Sequence, residues 1–187
     1  MKYVIPGLVA GTLLALVVGI FMLGSDPTLE CDRAGMKLFA QKHYTEAVQV
    51  WNEGLEKHPG SCKLHYRIGT ALAVMKEYGG ASAEFAKALA IEPRHAPTHF
   101  EMGMMYLHQD RLTEAEVSFK ETLACAEWYP EAHYWLGRLR DKQGRKEEAR
   151  QLYIDELNVN PGCTLAWGMV FGDVPKERAA EQVSAGQ

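Results

Sequence analysis

The side chains best suited to chemistry are four cysteines, Cys31, Cys62, Cys125 and Cys163, and three histidines, His65, His99 and His133. Thiols and imidazoles gathered in one place bind metals, and paired thiols in an oxidising compartment form disulfides. No two cysteines stand as CxxC and no CxxCH occurs, which excludes covalent attachment of a c-type haem. The chain has no phosphate-cradling glycine loop, no HExxH and no G-x-S-x-G. It is therefore expected to be no enzyme, with no catalytic residue and no cofactor. The three histidines are each 34 residues apart, and that spacing belongs to something larger.

The chain has 187 residues, with 20 Lys+Arg against 24 Asp+Glu, so its net charge of −4 argues against nucleic acid as the main partner. Hydrophobic residues make up 47%, too many for a disordered chain. Four other columns repeat at 34: Gly35, Gly69, Gly103 and Gly137; Ala47, Ala81, Ala115 and Ala149; Trp51, Phe85, Phe119 and Tyr153; Leu55, Leu89, Leu123 and Leu157. Pro59, Pro93 and Pro161 share a fifth column, which Glu127 breaks. These define units 28–61, 62–95, 96–129 and 130–163.

Each unit reads as two helices. In the second, Leu64, Ile68 and Leu72 lie on one helical face, a polar turn follows near Lys76-Glu77, and Ala81, Phe85, Ala88 and Leu89 mark a second helix that Pro93 ends. Gly and Ala are expected where helices come close, and the aromatic column in the gap between neighbouring pairs.

On these residues the units resemble tetratricopeptide repeats (TPRs). The second shows His65-Tyr66-Arg67-Ile68-Gly69-Thr70-Ala71-Leu72, then Tyr78 to Phe85, then Ala88 and Pro93. The resemblance covers residues 28–163. It implies an all-α solenoid of helix-turn-helix units. The place where many repeats carry Trp holds Cys31, His65, His99 and His133. The fourth unit has Arg140 and Glu156 where smaller or apolar residues are usual, which fits a last repeat whose outer face meets solvent or a cap. Residues 164–171 are apolar and read as a partial cap helix or an exposed docking patch. A polar tail follows Pro175.

The resemblance further implies that partners, as peptides or helices, bind a concave face lined by the first helix of each unit. That places Met36, Phe39, Tyr66, Arg67, Thr70, Phe100, Met104, Leu107, His108, Tyr134, Trp135 and Arg138 in the groove. Aromatic residues, Met and Arg are the types enriched at binding hot spots. An acidic group on the partner would suit Arg67 or Arg138. Some TPR proteins hold a chaperone's C-terminal carboxylate in a Lys/Asn/Arg clamp. The matching places here are Asp32, Met36, Arg67, Pro97 and Glu101, and only Arg67 could serve. The charge also varies along the array, with unit two basic and unit three acidic.

On the repeat register, Cys31 and Cys62 fall near one another on neighbouring units, and so do Cys125 and Cys163. Disulfides Cys31–Cys62 and Cys125–Cys163 are one expectation, and four small buried thiols are the other. First helices of adjacent units lie about 8–10 Å apart, whereas zinc holds nitrogen at about 2.1 Å, so the three histidines cannot converge on one metal.

Residues 3–25 contain no charge and, as a helix, would reach roughly 35 Å, enough to span a bilayer core. Lys2 precedes the run, and Asp26, Glu30 and Asp32 follow it. Residues 1–25 are therefore expected to be a signal-anchor in the inner (cytoplasmic) membrane, with the remainder in the periplasm or outside. A cleaved signal peptide is the rival reading. Gly7, Gly11, Ala15 and Gly19 recur every fourth place and offer a close-packing face for another membrane helix, hence an oligomer or a complex. The expected function is a membrane-anchored adaptor in assembly or maturation of an exported or membrane complex. The alternatives are a permanent accessory subunit docked through the anchor, or a metal carrier using the histidine column.

Overall fold

The computed structural model describes residues 28–172. The expected anchor at 1–25 with Gly7, Gly11, Ala15 and Gly19, the linker at Asp26-Pro27 and the tail beyond Pro175 lie outside the described residues. Among the described residues there are α1 (Leu29–Ala40), α2 (Tyr44–Lys57), α3 (Cys62–Val74), α4 (Tyr78–Ile91), α5 (Ala96–His108), α6 (Leu112–Cys125), α7 (Ala132–Lys142), α8 (Lys146–Val159) and α9 (Thr164–Phe171). None of these is long and apolar enough to cross a membrane.

The helices form four hairpins in succession, and α9 packs on α8 at the end. One device makes every hairpin turn. The backbone N–H groups of His43, Glu77, Arg111 and Arg145 donate to the carbonyls of Leu38, Leu72, Tyr106 and Arg140. This closes the last turn of the first helix in a Schellman motif. The motif needs a left-handed residue, and Lys42 (φ 66°), Lys76 (64°), Asp110 (55°) and Gly144 (76°) occupy that place. Only Gly144 adopts it without steric cost.

Within each hairpin the glycine column meets the aromatic column. A Cβ added at Gly69 would lie 2.6 Å from the Phe85 ring, one at Gly103 2.7 Å from Phe119, and one at Gly137 2.5 Å from Tyr153. The Trp51 indole stands against Gly35 in the same way. The aromatic side chain therefore lies across its own unit's glycine and also packs on the next hairpin: Trp51 with Leu64 and Ile68, Phe85 with Met105, and Phe119 with Leu136 and Leu139. Trp51, Phe85 and Phe119 are fully buried, as are Ala47, Ala81, Ala115 and Ala149. Burying one such ring contributes on the order of 2–3 kcal/mol, so this column is the main apolar support of the array.

Two residues expected to face solvent or a cap are buried. Arg140 is only 8% exposed and reaches back from α7 to α6, where its guanidinium grips Glu116 through two contacts of 2.7 Å. Glu156 is fully buried and bonds the backbone of Glu131. Both tie elements together where a small or apolar side chain would only pack.

The α9 helix continues the register. Its Ala166 is fully buried against α8, and its Trp167 Nε1–H donates to the Pro161 carbonyl at 2.6 Å. His65 Nε2 stands 3.2 Å from the Pro59 carbonyl and His99 Nε2 3.1 Å from that of Pro93. The same ring-to-carbonyl contact thus recurs at 34-residue intervals, with histidine taking the role of tryptophan. Glu127 stands where the proline should be in the remaining unit, and His133 Nδ1 is buried there without a partner.

Candidate functional site

The first helices of successive hairpins leave a trough between them. Between α3 and α5 a cavity of about 380 Å³ is lined by Thr70, Val74, Phe100, Glu101, Met104 and His108, among others. Between α5 and α7 a second cavity of about 220 Å³ is lined by Met104, Leu107, His108, Trp135, Arg138 and Leu139, with Lys142 at its edge. Met104 and His108 border both, so the two form one continuous surface across three helices. Its walls are mostly apolar, and flexible Met side chains can repack around varied shapes.

The expected groove residues divide into two groups. Thr70, Phe100, Met104, Leu107, His108, Trp135 and Arg138 line the trough. Met36, Phe39, Tyr66, Arg67 and Tyr134 line neither cavity. Met36 and Phe39 pack on the core formed by Ala47, Trp51 and Leu64, and the Phe39 ring lies 5.1 Å from that of Tyr44. Tyr66 sits edge-on to His95 at 5.3 Å. Tyr134 is buried between Trp135 and Tyr153.

Arg67 is matched within the chain. Its Nε–H donates to Asp32 Oδ1 at 3.0 Å, and Lys63 Nζ reaches Asp32 Oδ2 at 2.6 Å. The acidic group expected from a partner at Arg67 is supplied by Asp32, itself buried. Arg138 is exposed, and its guanidinium donates to the Tyr134 hydroxyl at 3.0 Å. With Lys76 and Lys142 it is one of three cations that border the trough.

Glu101 gives the trough a polar floor. Burial raises its carboxyl above the usual range. Burial and then the Glu101 charge raise the Tyr66 phenol, and burial pushes Tyr129 up to about 12, with Tyr66 and Glu101 adding to it. An anionic ligand is disfavoured beside this group, and a hydrogen-bond donor is favoured.

The cysteines are not joined. Cys31, Cys62, Cys125 and Cys163 are all free thiols, so the expected pairs Cys31–Cys62 and Cys125–Cys163 are absent. The geometry gives the reason. The Cys31 side chain packs toward Gly54 of α2, whereas the Cys62 thiol lies with Glu92 and His95 at the α4–α5 turn. Burial and the Glu92 charge push the Cys62 thiol up to about 11, which makes it a poor nucleophile. The histidine column does not converge either: His65 Nδ1 meets Glu84 Oε2 at 2.7 Å and its Nε2 the Pro59 carbonyl, while His99 Nε2 meets that of Pro93.

A tetratricopeptide repeat family model matches residues 119–157. That span runs from Phe119 through Gly137 to Leu157, one full period of the glycine and aromatic columns. The fold is TPR-like. Among solved structures, one from the functional characterization of Pseudomonas aeruginosa pilF superposes with a TM-score of 0.72 at 21% identity, covering 82% of this chain and 70% of that one. A crystal structure of MamA gives 0.63 at 18% identity, covering 73% of this chain and 80% of that one. The first TPR of Spaghetti (RPAP3), bound to the HSP90 peptide SRMEEVD, gives 0.59 at 21% identity, covering 65% of this chain and 96% of that one. At such identities the likeness is one of fold. No curated protein matches the sequence. A TPR fold is that of a protein–protein interaction scaffold.

Proposed function

We propose that this chain is a membrane-anchored TPR adaptor, built on four 34-residue units, that holds an apolar peptide or helix of a protein partner in the trough across α3, α5 and α7. The observation that carries the reading is the shared border of the two cavities at Met104 and His108. It gives a mostly apolar surface across three helices, with Arg138 bordering one cavity and Lys76 the other. Such a surface binds by shape and apolar burial and performs no reaction. The partner's charge, if any, is acidic and meets Arg138.

The anchoring and location rest on the sequence. The uncharged run at 3–25, flanked by Lys2 and by Asp26, Glu30 and Asp32, supports an inner-membrane helix with the array in the periplasm or outside. An adaptor so placed would act in assembly or maturation of an exported or membrane complex.

The test is site-specific photocrosslinking in native membranes. A photoreactive residue in place of Met104 is expected to capture a discrete partner. The same residue in place of Ile91, which is 40% exposed at the end of α4 and lines neither cavity, is expected to capture none. Equal capture at both positions would remove the trough from the account.

A further inference from the structure

Outside the trough, three ligand-bearing side chains meet at the junction of the second and third hairpins. Cys62 opens α3, Glu92 closes α4, and His95 precedes α5. One ligand atom from each, the Cys62 sulfur, a Glu92 carboxylate oxygen and a His95 ring nitrogen, lies within 4.8 Å of the others. Cys62 is buried, His95 half-buried and Glu92 exposed, so the cluster has a protein floor and one side open to solvent.

The histidine is already oriented. Its Nδ1 lies 2.7 Å from the hydroxyl of Thr98, which is fully buried, and its ring is held edge-on by Tyr66 at 5.3 Å. When Nδ1–H donates to that hydroxyl, Nε2 presents its lone pair. A hydrogen bond at one ring nitrogen that sets the other for a metal is the usual outer-shell arrangement around zinc.

We propose that Cys62, Glu92 and His95 form a surface zinc site that staples the start of α3 to the α4–α5 turn. A thiolate, an imidazole and a carboxylate make a donor set suited to Zn(II), whereas Mg(II) and Ca(II) take sets built from oxygen. Tetrahedral zinc with bonds of about 2.0–2.3 Å places its ligand atoms roughly 3.3–3.8 Å apart, so the cluster must contract by about 1 Å. The Glu92 side chain is exposed, and the Cys62 thiol already hydrogen-bonds it. Binding forms a Zn–S bond as the Cys62 S–H proton leaves to solvent, with no change of oxidation state. Three protein ligands leave a fourth position for water. The site fixes the junction between the second and third hairpins.

The experiment uses the purified full-length protein in detergent, reduced and stripped with chelator, and titrated with Co(II) alone and then with Zn(II). The expected result is one equivalent of Co(II) giving a thiolate-to-metal charge-transfer band, which Zn(II) then abolishes by displacement. Cys62→Ser is expected to remove the band, Glu92→Gln to weaken affinity at least tenfold, and Thr98→Val to weaken it about tenfold or more through the loss of ring orientation. Glu92 is exposed, so its substitution tests the site without threatening the fold. Absence of a charge-transfer band in the wild-type protein would overturn the proposal. So would a band that survives in Cys62→Ser, which would place the metal on Cys31, Cys125 or Cys163, or an affinity unchanged in Glu92→Gln.

Discussion

The buried carboxylate of Glu156, on α8, accepts the backbone N–H of Glu131 at 2.8 Å through Oε1. Glu131 has φ of 65° and stands immediately before α7, so this bond holds a left-handed residue at the one inter-hairpin turn that lacks the repeated proline. The other oxygen, Oε2, is buried without a hydrogen bond. Burial raises the carboxyl above its usual range, with the Glu131 amide drawing it partly back.

Glu156→Gln keeps the acceptor and removes the titration. Because the folded group binds its proton more tightly than the unfolded one, its contribution is fully present below about pH 4.3 and is lost as pH rises through the raised value. The Gln variant is therefore expected to gain stability relative to wild type with rising pH, in thermal unfolding followed from acid to neutral. Glu156→Ala, which leaves the Glu131 N–H without its acceptor, is expected to cost about 1–3 kcal/mol at acid pH, a deficit that narrows as pH rises through the raised value.

Glu116 behaves in the opposite sense. Its bonds to Arg140, with help from Lys120, hold its carboxyl far below the usual range. That stability is present above the ordinary carboxylate value and is lost on acidification below it. Glu116→Gln is expected to cost about 2–3 kcal/mol at neutral pH, since it leaves the nearly buried Arg140 poorly paired. Its stability deficit should narrow as the wild type is acidified. An equal deficit across the whole range would show that the pair is not what supports this junction.

Lys76 is held at φ 64° in the second hairpin turn. Glycine adopts that geometry without a Cβ clash, so Lys76→Gly is expected to stabilise the fold by about 0.5–1 kcal/mol in denaturant unfolding. Gly144→Ala, at the equivalent turn, is expected to cost a similar amount. Lys76 edges the trough, so binding should be read separately from stability.

Gly69→Ala drives a methyl group into the Phe85 ring and is expected to cost about 1–3 kcal/mol. Adding Phe85→Leu, which withdraws the ring, is expected to recover part of that loss. Non-additivity of this kind, measured by a double-mutant cycle, is the signature of direct contact.

Much of the fold was legible because each unit is local. The 34-residue columns of Gly, Ala and aromatic residues, and the helical spacing of Leu64, Ile68 and Leu72, follow from contacts within one hairpin or between neighbours. Phe100, Met104, Leu107 and Trp135 line the trough, but the register alone does not decide this, since Tyr66 and Tyr134 share the column of Phe100 and line neither cavity. Met36, Phe39 and Tyr66 pack instead on the first hairpin's core or on His95, because a half-buried aromatic or thioether side chain can turn to the core or to the groove from one helical position.

The chain's own spacing thus determined that it is all-α, where its helices and turns fall, and which columns make the core, since these depend on periods of 3.6 and 34 residues. The tertiary structure decided which charged side chains meet. Arg67 finds Asp32 across 35 residues, Arg140 finds Glu116 across 24, and Glu156 reaches back 25 to Glu131. It also brought Cys62 to Glu92 and His95 and kept it from Cys31. Those meetings depend on the angle at which one hairpin stacks on the next. That angle is set by the summed shape of the packed rings and small residues, and no single position carries it.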